Sequence, residues 1–211
     1  NTDNFNITGE SFDYGPWRFL PELDPGFTAA YFDQTGRYAY GRQPSAAMWA
    51  LCRLADCFVP ALPPETLAET LSDFYTSLDR HLARHLCWRL GVDGTDHETR
   101  QVSALVFEAA RKSQIGWDKL FHDLYGGELS DNSADPAWRI FAELANLADY
   151  VSKLRPRQTK GAIQAVRAAP LITLKIDVVE QLWEPIQERD DWSEFTKYLQ
   201  KIRALGQRLR A

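Results

Sequence analysis

Two carboxylates and an amide near the start of the chain have the types and spacing for chemistry. Asp3 and Asn4 precede a short apolar alternation, Phe5-Asn6-Ile7, and Asp13 follows it. Thr8-Gly9-Glu10 offers a turn and Ser11-Phe12 resumes the extended pattern, so residues 1–16 predict a tight β-hairpin. With Ile7 opposite Ser11, Phe5 faces Asp13, and the hairpin brings Asp13 back beside Asp3 and Asn4. One carboxylate and one amide oxygen suit Mg²⁺, which takes few protein ligands and keeps room for water and phosphate oxygens. A second carboxylate next to such an ion could accept a proton. Asn, Asp and Thr are equally the usual formers of turns and caps, and spacing alone favours a plain turn.

The elements that must position these residues are mostly helical. Residues 17–47 are rich in Pro, Gly and aromatic residues, too aromatic for a linker and too broken for a long helix. They predict an ordered loop layer packed on a helical body. Ser45 is the expected cap of a helix through about Phe58. Past Pro60, Pro63 and Pro64, apolar residues at 67, 71, 74, 78, 82 and 86 predict one helix ending at Gly91. Asp93-Gly94-Thr95-Asp96 reads as a turn, with Thr95 or Asp96 capping a helix through about Ile115 whose Val102, Leu105, Val106 and Ala109 point inward. A short helix over 117–125 is stopped by Gly126-Gly127. Pro136 opens a helix to about Leu154. The basic stretch 155–170 has no clear element, and Leu171–Leu174 reads as strand or extended loop. Helices over about 177–188 and 193–209, the second capped by Asp191 or Ser193, close the chain.

Bulk properties limit the function classes. The 211 residues are 45% hydrophobic and 25% charged, which fits a globular protein. A net charge of −5 argues against a protein built to bind nucleic acid, although it leaves room for a nucleotide. No run approaches a membrane span. Cys52, Cys57 and Cys87 have no metal or redox spacing and predict buried thiols in a reducing compartment. His81 and His85 lie four apart without the H-E-x-x-H pattern and read as a surface pair. His122 is expected on a helix face. The seven tryptophans are expected in the core or between helices, and Arg155–Lys160 reads as a solvated basic loop. The chain begins within its own candidate site and without Met, which predicts a piece of a longer protein.

Longer motifs carry more. Asn1-Thr2-Asp3-Asn4, the run Phe12-Asp13-Tyr14-Gly15-Pro16-Trp17-Arg18-Phe19-Leu20, Asp24-Pro25-Gly26-Phe27 and Gly36-Arg37-Tyr38-Ala39-Tyr40-Gly41-Arg42-Gln43-Pro44 resemble the selenoprotein O family of kinase-like proteins. The match is dense over residues 1–58 and looser to about 125. The resemblance implies a mainly α fold: the C-terminal lobe of a protein-kinase-like fold over 1–125, with one short β-hairpin at 1–16, and a helical extension over 126–211. It implies that the N-terminal lobe, with the groups that would hold the triphosphate, lies in the same or a partner chain.

For activity, the resemblance implies a nucleotidyltransferase that moves AMP from ATP to Ser, Thr or Tyr hydroxyls of proteins, with Mg²⁺ or Mn²⁺. The α-phosphate, not the γ-phosphate, would be presented to the acceptor. Asp3 would be the proton acceptor. Asn4 and Asp13 would be metal ligands, and Asp13 would also lie beside the nucleotide. In ordinary kinases the base stands five residues before the metal Asn, whereas Asp3 and Asn4 are adjacent. A bacterial-type cytoplasmic setting without nucleic-acid or membrane partners is expected, as is inactivity of these 211 residues alone. Two other readings stay open: a kinase-like phosphotransferase, and a non-catalytic helical interaction module.

Overall fold

A computed structural model describes residues 6, 8, 19–129 and 136–210. The expected hairpin at 1–16 therefore lies outside the described residues. These residues are mainly helical with one small antiparallel sheet, and they divide into two compact units. The first holds residues 24–79; the second holds 19–23 and 80–210.

In the first unit, residues 24–39 form turns without helix or strand, as their Pro and Gly content predicts. A 3-10 turn over Tyr40–Arg42 runs straight into α1, Gln43–Asp56. The helix thus starts before Ser45, which is not its cap. Pro44 sits in the first turn, where a missing N–H leaves no helical bond unmade. The Ser45 hydroxyl instead donates to the Arg42 carbonyl at 2.9 Å.

The single helix expected from residue 67 to 89 is two, α2 (Pro64–Ser72) and α3 (Phe74–Arg89). Near the end of α2, Thr70 Oγ1 donates to the Thr66 carbonyl and Ser72 Oγ to the Glu69 carbonyl. Such local hydroxyl bonds compete with the helical ladder. The apolar period runs on through the break at Asp73, so it hides the break. Only Ala39 and Ala50 are buried among the described apolar residues of this unit. Trp49, Phe58 and Val59 are exposed, against the expectation that tryptophans fill a core.

The second unit holds the main core. Its strands β1 (Val92–Asp93) and β2 (Arg155–Pro156) pair antiparallel, Val92 opposite Pro156 and Asp93 opposite Arg155. The expected turn at Asp93 is thus partly strand, and the stretch 155–170 is ordered rather than a loose basic loop. The Asp93 carboxylate accepts from both Arg155 and Arg157. These two charges meet only across more than sixty residues of sequence, which local reading cannot anticipate.

Helix α4, Asp96–Ser113, packs along α7, Ala142–Val151. Val102, Val106, Leu144, Leu147 and Val151 are completely buried there, joined by Leu120 and Leu124. Leu120 belongs to α5, Trp117–Asp123, and Leu124 caps its end. The helix expected after Pro136 is interrupted: α6 (Ala137–Ile140) and α7 are separated by Phe141, which adopts φ −95° and ψ 115° and packs on the core. Helix α8, Lys160–Arg167, was not expected; it buries Ile163 and Val166. Helices α9 (Ile176–Arg189) and α10 (Ser193–Arg208) match the expected pair. Asp191 Oδ1 accepts from the Ser193 N–H at 3.0 Å at the start of α10.

Of the two expected caps, Thr95 is the one that caps α4. Its Oγ1 accepts from the Glu98 N–H, and Glu98 Oε2 accepts from the Thr95 N–H at 2.7 Å, so both halves of the capping box are made. Thr95→Ala is expected to cost about 1 kcal/mol in urea unfolding, with unchanged far-ultraviolet circular dichroism.

Gly126 ends the turn after α5 at φ +82°, and a Cβ there would lie 2.4 Å from Ile163 Cγ2. Glycine is thus required by both backbone and space. Among the described residues no helix is long and apolar enough to cross a membrane.

Candidate functional site

Two of the sequence motifs meet in the first unit. The Gly41 N–H donates to the Pro25 carbonyl and the Tyr40 N–H to the Phe27 carbonyl, both at 2.8 Å. Asp24-Pro25-Gly26-Phe27 and Tyr40-Gly41-Arg42 are thereby clasped backbone to backbone. Asp24 Oδ1 accepts from the Gly26 N–H at 2.9 Å, which sets the turn that presents the Pro25 carbonyl. A Cβ on Gly41 would lie 2.9 Å from Pro25 Cβ and 3.1 Å from its carbonyl oxygen, so only glycine allows the approach. Gly41→Val is expected to raise hydrogen exchange selectively over residues 25–42, and an unchanged exchange pattern there would contradict the clasp.

Between these motifs, Asp33 organises the loop 33–38. Its carboxylate accepts from the Tyr38 N–H at 2.7 Å, the Arg37 N–H at 3.0 Å and Thr35 Oγ1 at 3.1 Å. The backbone bond from Tyr38 is the largest cause holding its pKa below the usual 3.8. Arg37 lies over the Trp49 ring, 4.9 Å from its centroid. Gln43 Nε2 donates to the Tyr38 carbonyl at 2.7 Å and ties the loop to α1.

Asp3, Asn4 and Asp13 all lie outside the described residues, so their mutual geometry stays at the level of the sequence. Among the described residues no group of three or more His, Cys, Asp or Glu could hold a metal ion. His81 and His85 are both exposed on α3, the surface pair their spacing suggests. Of the cysteines only Cys87 is buried. Cys52 is half-buried and Cys57 exposed, which corrects the expectation of three buried thiols. Burial, then the charges of Asp93 and Glu98, push the Cys87 thiol up to about 11, so it stays protonated and inert.

A second polar group, in the second unit, was not expected from the sequence. Asp123 is 6% exposed at the end of α5. Its Oδ2 accepts from Lys119 Nζ at 2.7 Å and from the Trp138 indole N–H at 3.0 Å, and its Oδ1 lies 3.4 Å from His122 Nδ1. His122 Nε2 lies 3.0 Å from the Ala169 carbonyl. Both neighbours of the imidazole are acceptors, so only the protonated ring donates to both. The bond to Asp123 is the largest cause raising the His122 pKa above 6.5. For Asp123, burial pushes upward, but the bonds from His122, Lys119 and Trp138 prevail and hold it below 3.8. This hub is structural: it ties α5 to α6 and to the residues after α8. The one local sign of it is the i,i+4 spacing of Lys119 and Asp123.

Similar proteins give first a class and then a family. Proteins called protein nucleotidyltransferase YdiU from Synechocystis sp., Gloeobacter violaceus and Cronobacter sakazakii are 31%, 33% and 31% identical to this chain. The alignments cover 97%, 96% and 96% of this chain and 46%, 44% and 43% of those proteins. The chain thus spans somewhat less than half the length of these relatives. Residues 1–203 match the family described as protein adenylyltransferase SelO, and the chain belongs to that family.

Proposed function

We propose that the chain is the C-terminal portion of a protein adenylyltransferase with a kinase-like catalytic lobe. The observation that carries this reading is that the family match begins at residue 1 and runs through the Asp3-Asn4 and Asp13-Tyr14-Gly15 motifs. In this reading the acceptor hydroxyl of a protein Ser, Thr or Tyr attacks the α-phosphorus of ATP. The bond between the α- and β-phosphates breaks and pyrophosphate leaves. Asp3 takes the hydroxyl proton. Asn4 and Asp13 offer the hard oxygen donors that Mg²⁺ prefers, and their chemistry fits that ion or Mn²⁺. When bound, the ion supplies positive charge beside the phosphates. Asp13 also orients the nucleotide. The remaining nucleotide contacts belong to an N-terminal lobe in the same or a partner chain.

Labelled ATP tests the reaction type on the complete polypeptide. Label in the α-phosphate is expected to enter protein while label in the γ-phosphate is released with pyrophosphate. Entry of γ-label instead would establish a phosphotransferase. The isolated 211 residues are expected to transfer no label above background, and robust metal-dependent transfer by them would refute the need for a second lobe.

A further inference from the structure

A cavity of about 110 Å³ lies in the second unit, and none of the residues lining it belongs to the motifs that carry the family resemblance. Phe121 of α5, Val166 of α8, Ile172, and Leu205 and Leu209 at the end of α10 wall it with apolar surface.

These walls are fixed by hydrogen bonds rather than left to collapse. Tyr125 Oη donates to Gln158 Oε1 at 3.0 Å, and Gln158 Nε2 donates to the Arg208 carbonyl at 2.9 Å, which pins the end of α10. The extended segment after α8 is held at Ala169 by His122 and at Thr173, whose Oγ1 donates to Asp118 Oδ2 at 2.7 Å. Tyr198 of α10 bonds the Thr173 backbone as well. An apolar space with a pre-organised lining and a few polar groups at its mouth is the usual form of a small-molecule site.

The polar group at the mouth that lacks full use is Arg89, at the end of α3. Its guanidinium sits 4.4 Å from the Phe121 ring centroid. Its carboxylate neighbour, Asp118 Oδ1, is 3.7 Å away, beyond hydrogen-bond range. Among the described residues the Arg89 guanidinium donates no hydrogen bond, whereas Arg157, the other arginine lining the cavity, is committed to Asp93. Asp118 is the one acid in the lining, and its other oxygen is taken by Thr173. Arg89 and Asp118 balance in charge across 3.7 Å, but the guanidinium keeps a planar fork of donors over an aromatic face beside an apolar space.

We propose that this cavity binds a small aromatic monocarboxylate, its ring against Phe121, Val166 and Leu205 and its carboxylate on Arg89. The cavity is smaller than the closed, dry one of roughly 150 Å³ that holds benzene, but it is open on one side, so the ring sits partly in the mouth with its charged end outward. Charge-assisted bonds from a guanidinium to a carboxylate supply the orientation.

Benzoate is the probe. The 211-residue chain is titrated with benzoate, acetate and toluene, and amide and indole N–H signals are followed by NMR. Benzoate is expected to give saturable shifts at the Trp88 indole and at residues of α5 and α10. Acetate, which lacks the ring, is expected to give none over the same range. Toluene, which lacks the charge, binds more weakly. Arg89→Gln is expected to weaken benzoate at least about tenfold and to leave toluene unchanged. Leu205→Trp, which fills the space, removes both. The proposal is overturned if benzoate gives no saturable shift, if toluene binds as tightly as benzoate, or if Arg89→Gln binds benzoate normally. Should Arg89→Gln lose its native spectrum, benzoate binding that survives Leu205→Trp overturns it.

Discussion

Asp13→Ala in the complete polypeptide is expected to lower transfer of AMP to protein by at least about 10²-fold, on the scale of removing one electrostatic contact to a reacting group. The side chain has two tasks in the proposed site, one toward the ion and one toward the nucleotide, and alanine ends both. Asn4→Ala removes a single neutral donor and is expected to act chiefly by raising the metal concentration needed for half-maximal rate. Asp3→Asn leaves an oxygen in place but no base, so nucleotide binding is kept while transfer falls. The three variants therefore separate by measurement. Calorimetry of ATP with and without Mg²⁺ distinguishes Asp13 and Asn4 from Asp3, and α-labelled ATP reports transfer in each. Undiminished transfer by Asp13→Ala would sink the catalytic reading and favour a helical interaction module.

What the sequence revealed follows how locally each feature is encoded. Helix α4 was legible apart from the choice between Thr95 and Asp96 as its cap, because its start and its inward face at Val102, Val106 and Ala109 are all local. The stop at Gly126-Gly127 was legible for the same reason, since a positive φ at each selects glycine. Helix α8 was not, because its eight residues contain just two buried apolar positions, Ile163 and Val166, among small and polar neighbours. The breaks at Asp73 and Phe141 were invisible because apolar spacing continues across them; the second is made by the extended backbone of Phe141. The β1–β2 pair needs partners more than sixty residues apart in sequence.

The candidate site shows the same division. Spacing at Asp3, Asn4 and Asp13 is compatible with an ordinary turn. It was the longer run of motifs to Pro44 that assigned those residues separate tasks. The clasp of Gly41 on Pro25 gives two of these motifs a structural reason to occur together. The exposure of Trp88, Trp183 and Trp192 ran against expectation. A tryptophan at a helical position can equally face outward, and periodicity does not say which face is covered.

Asp123→Ala is expected to be the most damaging single change to the stability of the second unit, at about 2–4 kcal/mol. Alanine leaves the indole N–H of Trp138, which is 6% exposed, without its acceptor, and leaves Lys119 and His122 without their anion. An unsatisfied buried donor costs more than the net value of the bond it had made. Asp123→Asn keeps an oxygen for one donor but loses the charge, so its cost is expected to fall between those of alanine and the native residue.

The dependence on pH identifies the cause. His122 has a raised pKa in the folded chain, so its contribution is fully present below about 6.5 and is lost as pH rises through the folded value. Asp123 has a lowered pKa, so its contribution is present above about 3.8 and is lost as pH falls through the folded value. The hub is therefore strongest on the mildly acidic side of neutrality, between those two losses. Asp123→Ala removes the acid loss altogether. It also removes the largest cause of the raised His122 pKa, so the decline as pH rises through the folded value shrinks with it. Urea unfolding of both proteins across this range measures the difference directly. A variant that is uniformly weaker at every pH would mean that Asp123 acts through packing and hydrogen-bond count, not through its charge on His122.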